Sequence, residues 1–441
     1  MSVVAVVVAA WLSSSSAQAV PGSPSSLAPA STEGSPSALE AWQQPPWDFV
    51  VLPIAGANID EGLGGGVLLA AHRYTGNVGL FRDDFALRLF VTSKWVQRHE
   101  LKWEGIDVFD QPLRLMARVG LFSTVTQNYC GTGNGVSCDE ARAERAARSA
   151  GLVDGSEAFD AFVRHYYKVR FIRPHGDVLL RWAVSQAPVK IEWMGGARLS
   201  YFIPGDFSST SPFPGSVYAQ AFPQGEPGLS SVLQLGATAD TRDVEVSPTR
   251  GFFIESSVRA STPAWGSAWT WAGVHGAAQF YVPMPGDITL ASRTIADLII
   301  GDAPTEEVAT TGGIRDHTAF GGQWLGRGLR EHRGIGKLKL IQQAELRRDL
   351  VGFVAFGVRV DVGAGVFGDV GWIGADLFDL GGGARIDGRV VDVGSPFRLL
   401  FGGGGGLRVV LNRALLMRID VAVSPFEQIA PSFYTPFGYP L

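Results

Sequence analysis

The sequence predicts an all-β chain: a transmembrane antiparallel β-barrel of about sixteen strands behind a disordered N-terminal segment. Three observations predict it. Past the N-terminus no apolar run is long enough to cross a bilayer as a helix, while segment after segment alternates apolar and polar residues. The segments come to an even number, as in single-chain bacterial barrels. The connections between them alternate in length, short then long. A strand with one apolar face and one charged face needs hydrocarbon on one side and water on the other. In lipid, only a closed barrel satisfies the backbone polar groups of such strands.

Composition bounds the class without deciding it. The 441 residues include 56 Gly, 26 Phe and 12 Trp, and 18% are charged. Soluble chains average about 25% charged residues and roughly 7% Gly. A barrel has such a composition, and so does a large secreted β-sandwich. The net charge of −5 argues against a nucleic-acid partner.

Residues 1–19 read as a signal peptide. The apolar run Val3 to Leu12 precedes the small-residue site Ala17-Gln18-Ala19, although no Lys or Arg comes before it. Residues 20–46 are rich in Pro, Ser, Ala and Gly and read as a disordered periplasmic tether. The barrel is expected over 47–441. Its strands are placed at 47–55, 62–74, 84–94, 97–107, 113–127, 164–183, 189–203, 229–241, 251–262, 267–282, 287–301, 336–348, 353–373, 397–411, 415–425 and 433–441. The long connections are 128–163, 204–228, 302–335 and 374–396; they follow odd strands, so all fall at one end. Residues 139–163, with EARAERAARSA, predict a short helix within the first of them.

The alternation is clearest in three places. Leu338, Leu340, Ala344 and Leu346 share one face, and Lys337, Lys339, Gln343, Glu345 and Arg347 the other. In 415–423, Leu415, Met417, Ile419, Val421 and Val423 oppose Leu416, Arg418, Asp420 and Ala422. In 353–372, Val354, Phe356, Val358, Val360, Val362 and Val366 oppose Arg359, Asp361, Phe367 and Asp369. Arg, Lys, Asp and Glu on the polar faces of neighbouring strands suit a wet, charge-paired lumen.

Cys130 and Cys138 flank a short glycine-rich loop, and a disulfide is the simplest reading of a close pair in an exported chain. Free thiols or a metal site are the alternatives, but no His lies nearby in sequence. No metal is expected, because the seven His are scattered without ligand spacing. No catalytic residues are expected either, since neither G-x-S-x-G nor H-E-x-x-H occurs. Gly402 to Gly406 lies within a strand and lacks the helix and Lys-Ser/Thr of a phosphate loop. Glycines there read as sites of bending or close backbone approach. No nucleotide and no cofactor is expected. Pro53 in the first strand and Pro436 and Pro440 in the last fall on the strands that meet at the barrel seam. Proline cannot donate to a ladder, so these predict a seam with fewer hydrogen bonds; the alternative is that they lie at the periplasmic end of the strand and matter little.

Seven stretches, in order, resemble the bacterial surface antigen superfamily of outer-membrane barrels, the BamA-related group, and within it the short branch lacking POTRA domains. They are LPIAGANIDEGLGGGVLLA (52–70), QNYCGTGN (127–134), DTRDVEVSPTRGFFIESSVRAS (240–261), LASRTIADLIIGDAP (290–304), GRGLREHRGIGK (326–337), AELR (344–347) and VFGDVGW (366–372). The resemblance covers about 47–441. It implies a sixth loop folded back into the barrel, with Arg327 and Gly328 as its Arg-Gly motif and Glu345 and Asp369 as acidic partners in the lumen. Arg330, Arg333 and Asp361 compete for these roles, and Leu329 stands where the family usually has an aromatic residue. The chain ends in Leu441 rather than Phe or Trp, but Phe433, Phe437, Tyr439 and Leu441 alternate as a terminal insertion signal does. The implied role is insertion or translocation of protein or lipid at the outer membrane of a Gram-negative bacterium. The implied partners are outer-membrane lipid, client membrane proteins and a periplasmic accessory protein. The competing roles are a passive, porin-like solute pore and a structural or adhesive surface protein.

Overall fold

The computed structural model describes residues 46–58, 61–74, 81–134, 136, 138–205, 215–314, 320–355, 358–386, 389–391, 395, 397–412, 415–427 and 431–434. The signal peptide at 1–19, the tether up to residue 45 and the seam prolines Pro436 and Pro440 lie outside them.

One sixteen-stranded antiparallel sheet runs in sequence order. Its strands are β1 (Trp47–Asn58), β2 (Gly62–Arg73), β3 (Asp83–Thr92), β4 (Gln97–Gly105), β5 (Leu113–Asn128), β6 (Lys168–Ser185), β7 (Lys190–Pro204), β8 (Gly228–Asp240), β9 (Gly251–Ser261), β10 (Thr270–Met284), β11 (Ile288–Asp302), β12 (Leu338–Ala355), β13 (Val358–Gly374), β16 (Leu400–Leu411), β17 (Leu415–Val423) and β18 (Ser432–Tyr434). The sheet curls until β1 and β18 lie side by side. A separate hairpin, β14 (Ala384–Ile386) and β15 (Arg389–Val391), lies in the connection after β13.

The burial pattern is that of a membrane barrel, apolar outside and polar inside. Phe49 and Val51 are each 73% exposed, whereas Lys339 is 1% and Asp297 3% exposed. The inner face carries linked charges from strand to strand. His72 on β2 reaches Asp84 on β3 at 3.3 Å, Asp84 reaches Lys102 on β4 at 2.9 Å, and Arg114 on β5 meets Glu104 at 2.6 Å. Charges held out of bulk water persist only when paired in this way.

Two strand expectations are corrected. The segment 353–373 is not one strand: β12 continues to Ala355, the chain reverses, and β13 begins at Val358, with Ala355 opposite Val358. Asp349 to Gly352 looks like a turn in sequence, but it forms a bulge, where the register shifts between Asp349 and Val351. A bulge and a turn share the same polar and glycine chemistry. The strand expected from 164 begins at Lys168, because a helix occupies the residues before it.

The expected helix in the first long connection is two: α1 (Glu140–Ser149) and α2 (Glu157–His165). Asp139 and Ser156 cap them, accepting from the N–H of Ala141 and Phe159 respectively. Ala143 and Ala147, four apart, bury one face of α1. With α3 (Val217–Ala221) and the sixth loop's α4 (Thr305–Val308), they help form a dome over the long-loop end. Its core includes Tyr129, Tyr166, Tyr167, Phe171, Phe202 and Tyr218.

Candidate functional site: the sixth loop inside the lumen

The connection from β11 to β12 turns inward and crosses the lumen, held at three places. At the first, Glu306 and Glu307 of α4 point into the barrel and are buried. Glu306 pairs with Arg173 on β6 at 2.7 Å. Glu307 pairs with Arg198 on β7 and accepts from Ser230 Oγ at 2.9 Å.

At the second, Asp297 on β11 is the hub. Arg259 on β9 grips it with two bonds of 2.8 and 3.0 Å, and Lys339 on β12 lies 3.2 Å away. His275 Nδ1 on β10 is 3.2 Å from the same carboxylate. The loop joins through the Gly312 N–H, which donates to Asp297 at 2.9 Å, and the Ile314 N–H, which donates to Glu255 at 3.0 Å. A methyl group at Gly312 would overlap Arg259, so the backbone approaches where no side chain fits.

The third holds the tip. Arg327 is 0% exposed. Its Nε and Nη2 donate to the two oxygens of Asp369 on β13, each at 2.9 Å, a bidentate fork. Its backbone N–H donates to Asp369 at 2.8 Å. Its Nη1 lies 3.4 Å from Glu345 on β12 and 3.8 Å from Asp420 on β17. The guanidinium sits 3.5 Å over the Phe367 ring, adding a cation–π contact. Apolar packing completes the seat: Phe320, Leu325 and Leu329 of the loop bury against Ile295, Ile341, Ile373 and Leu400 of the inner wall.

The structure thus brings together Arg327, Glu345 and Asp369. The competitors face elsewhere. Arg330 pairs with Glu427 at 3.0 Å, and Arg333 lies 3.6 Å from Glu427 while donating to the Val136 carbonyl. Asp361 is bonded by Arg359 on its own strand at 2.9 and 3.1 Å. Leu329 is fully buried in the apolar seat.

Gly328 follows with φ +96°, a conformation that favours glycine, and a methyl group there would lie 2.5 Å from the Val423 carbonyl. Gly402 gives the matching clearance on the wall: its missing Cβ would fall 2.1 Å from the Arg327 carbonyl oxygen. The tip also reaches the seam. The Gly328 N–H donates to Tyr434 Oη at 3.2 Å, and Tyr434 donates to the Leu329 carbonyl at 3.3 Å. Pro53 lies on β1 opposite Val67 and faces outward.

Cys130 and Cys138 form a disulfide, with Cα atoms 5.1 Å apart. It closes a loop that docks on its neighbours. Thr132 and Gly383 exchange backbone bonds, and Gly133 N–H donates to the Ile335 carbonyl at 2.8 Å. Asn134 accepts from the Ile373 N–H at 2.7 Å.

Sequence reasoning missed three groups. Asp420 had already been placed on a polar face beside Arg418, but nothing tied it to Arg327. Asp297 sits inside a stretch whose apolar residues dominate the pattern, and Glu306-Glu307 in a long connection without strand alternation. The usable signal was a carboxylate at an inward position on a strand flanked by inward Arg or Lys.

Neither a protein-family model nor a characterised protein sequence matches the chain. Solved structures do. CdiB from Escherichia coli superposes with a TM-score of 0.54 at 10% identity, over 90% of this chain and 63% of its own. BamA from Haemophilus ducreyi lacking POTRA domains 1-3 gives 0.46 at 12% identity, over 89% of this chain and 69% of its own. CdiB from Acinetobacter baumannii gives 0.45 at 12% identity, over 89% and 59%. The chain therefore spans just under two thirds of the Escherichia coli CdiB chain. This chain is a sixteen-strand transmembrane β-barrel with the fold of CdiB from Escherichia coli.

Proposed function

We propose that this barrel resides in the outer membrane of a Gram-negative bacterium and helps a polypeptide or lipid enter or cross that membrane without nucleotide. One observation carries the reading. The sixth-loop tip is pinned to three strands through Arg327 and touches the last strand through Tyr434. Movement of the loop is thereby linked to the barrel's seam. That is the coupling an assembly or translocation barrel of the surface antigen type requires, and the order of the seven sequence stretches supports the same role. Client membrane proteins and a periplasmic accessory protein are its expected partners.

The occupied lumen weighs against a passive solute pore. A freely conducting pore has no use for a loop whose Phe320, Leu325 and Leu329 are wholly buried against the inner wall. Removing the protein from its host separates the roles. The assembly reading expects the abundance of other outer-membrane barrels, or the lipid asymmetry of the membrane, to fall. An unchanged outer membrane combined with slower uptake of small solutes would establish the pore instead.

A further inference from the structure

The connection between β8 and β9, residues 241–250, lies at the end of the barrel opposite the dome and folds inward beneath the lumen. Asp243 braces it from within, accepting from the N–H groups of Val244 at 2.9 Å and Thr249 at 3.0 Å. Val246 and Pro248 are buried. On one side Glu245 takes two bonds from Arg114 of β5, at 2.9 and 3.0 Å. On the other, Ser247 Oγ accepts from Arg408 Nη2 of β16 at 3.2 Å, and the Pro248 carbonyl accepts from Arg347 Nη2 of β12. The turn therefore spans the mouth from β5 to β16.

The two arginines it meets are unusual. Arg347 is 4% and Arg408 5% exposed, and among the described residues neither makes an ion pair. Every other arginine discussed above, apart from these two, sits on a carboxylate. The nearest acid on their side, Glu345, is already shared by Arg327 and Arg418. Between the two arginines runs β13, where Gly365 stands opposite Arg347 and Gly363 opposite Arg408; Glu345 lies against this floor, its Oε1 3.4 Å from where a Cβ of Gly365 would be. Two buried guanidiniums over a glycine floor thus share the Glu345 carboxylate with Arg327 and Arg418, which leaves positive charge in excess and is costly. A hydroxyl and a carbonyl offer dipoles where a full negative charge would bind more strongly.

We propose that Arg347 and Arg408 form an oxyanion-binding site at the short-turn mouth, masked by Ser247 and Pro248 in this conformation. A carboxylate or phosphate group takes their place when the turn swings out. The site adjoins the Arg327 anchor through Glu345 but does not depend on the transport reading.

Thermal unfolding of the full chain in detergent tests it, with inorganic phosphate, acetate or chloride compared at equal ionic strength. The Ser247→Gly/Pro248→Gly variant loosens the mask, so phosphate raises its melting temperature more than it does that of the wild type. Arg347→Gln/Arg408→Gln in the same background loses the effect, with apparent affinity falling about tenfold or more. A response to acetate as well as phosphate assigns carboxylates to the site; a response to phosphate alone assigns phosphoryl groups. No anion-specific shift in the loosened variant, or a shift that survives loss of both arginines, overturns the proposal. Should the loosened variant fail to fold, the wild type decides through its reversal potential in a salt gradient across a planar bilayer. Replacing both arginines must then lower anion preference, and an unchanged preference refutes the site.

Discussion

Arg327 shows how one side chain can hold a loop of more than thirty residues. It is 0% exposed, and its charge is balanced by Asp369, Glu345 and Asp420. Truncation to Ala would leave Asp369 without its cation and Glu345 and Asp420 paired with Arg418, at a cost of about 3–5 kcal/mol to the seated state. Arg327→Lys keeps the charge but loses the two-pronged grip on Asp369, for a cost of roughly 2–3 kcal/mol. Limited proteolysis of the 303–337 connection in the intact barrel should show cleavage rising from wild type to Lys to Ala. Equal rates for wild type and Ala would mean that the apolar seat alone holds the loop. The pairing of Arg327 with Glu345 and Asp369 was readable because alternation fixed which residues face inward and the resemblance in the Arg-Gly motif supplied the partner. Asp297 was not, since its stretch ADLIIGD reads as plain apolar strand. Its partners Arg259, His275 and Lys339 come from three other strands.

Strands were more legible than the connections between them. A period of two persists however the barrel closes, so most strand ends fell within a few residues of those observed. The exceptions are at polar and glycine residues, which serve turns and bulges alike, as at Asp349. The dome was largely illegible, because aromatic residues from five separate segments converge there through tertiary packing. Among them Glu226 accepts from Tyr218 Oη and the Thr305 N–H, each at 2.9 Å. Burial raises its pKa above the ordinary 4.5, and Glu306 nearby adds to the rise. The folded dome thus holds this proton more tightly than the unfolded chain does. Its stabilising share is complete below about 4.5 and is lost as pH climbs through the raised value. Glu226→Gln, which keeps the acceptor and removes the charge, should flatten the decline in dome stability between mildly acidic and neutral pH. Protease resistance of the 205–227 connection measured across that range checks it. An identical decline in both proteins would place the proton elsewhere.

Across the whole barrel, stability is expected to be uneven around the circumference, lowest where β1 meets β18. β12 and β13 share a ladder of seventeen paired positions. β1 carries Pro53, which donates nothing. Amide exchange in lipid nanodiscs should therefore be fastest in β1 and β18 and slowest in β10 to β13. Tyr434→Phe, which unhooks β18 from the loop tip, should speed β18 further. Uniform protection around the ring would dispose of the weak seam. Seam and plug meet at Tyr434, so the most direct measurement is single-channel conductance of the purified barrel in planar bilayers, wild type against Arg327→Ala. A loop pinned across the lumen gives the wild type a small, flickering conductance, and releasing Arg327 gives larger and longer openings. A wild type that already conducts steadily at full barrel width, unaltered by Arg327→Ala, would contradict the account.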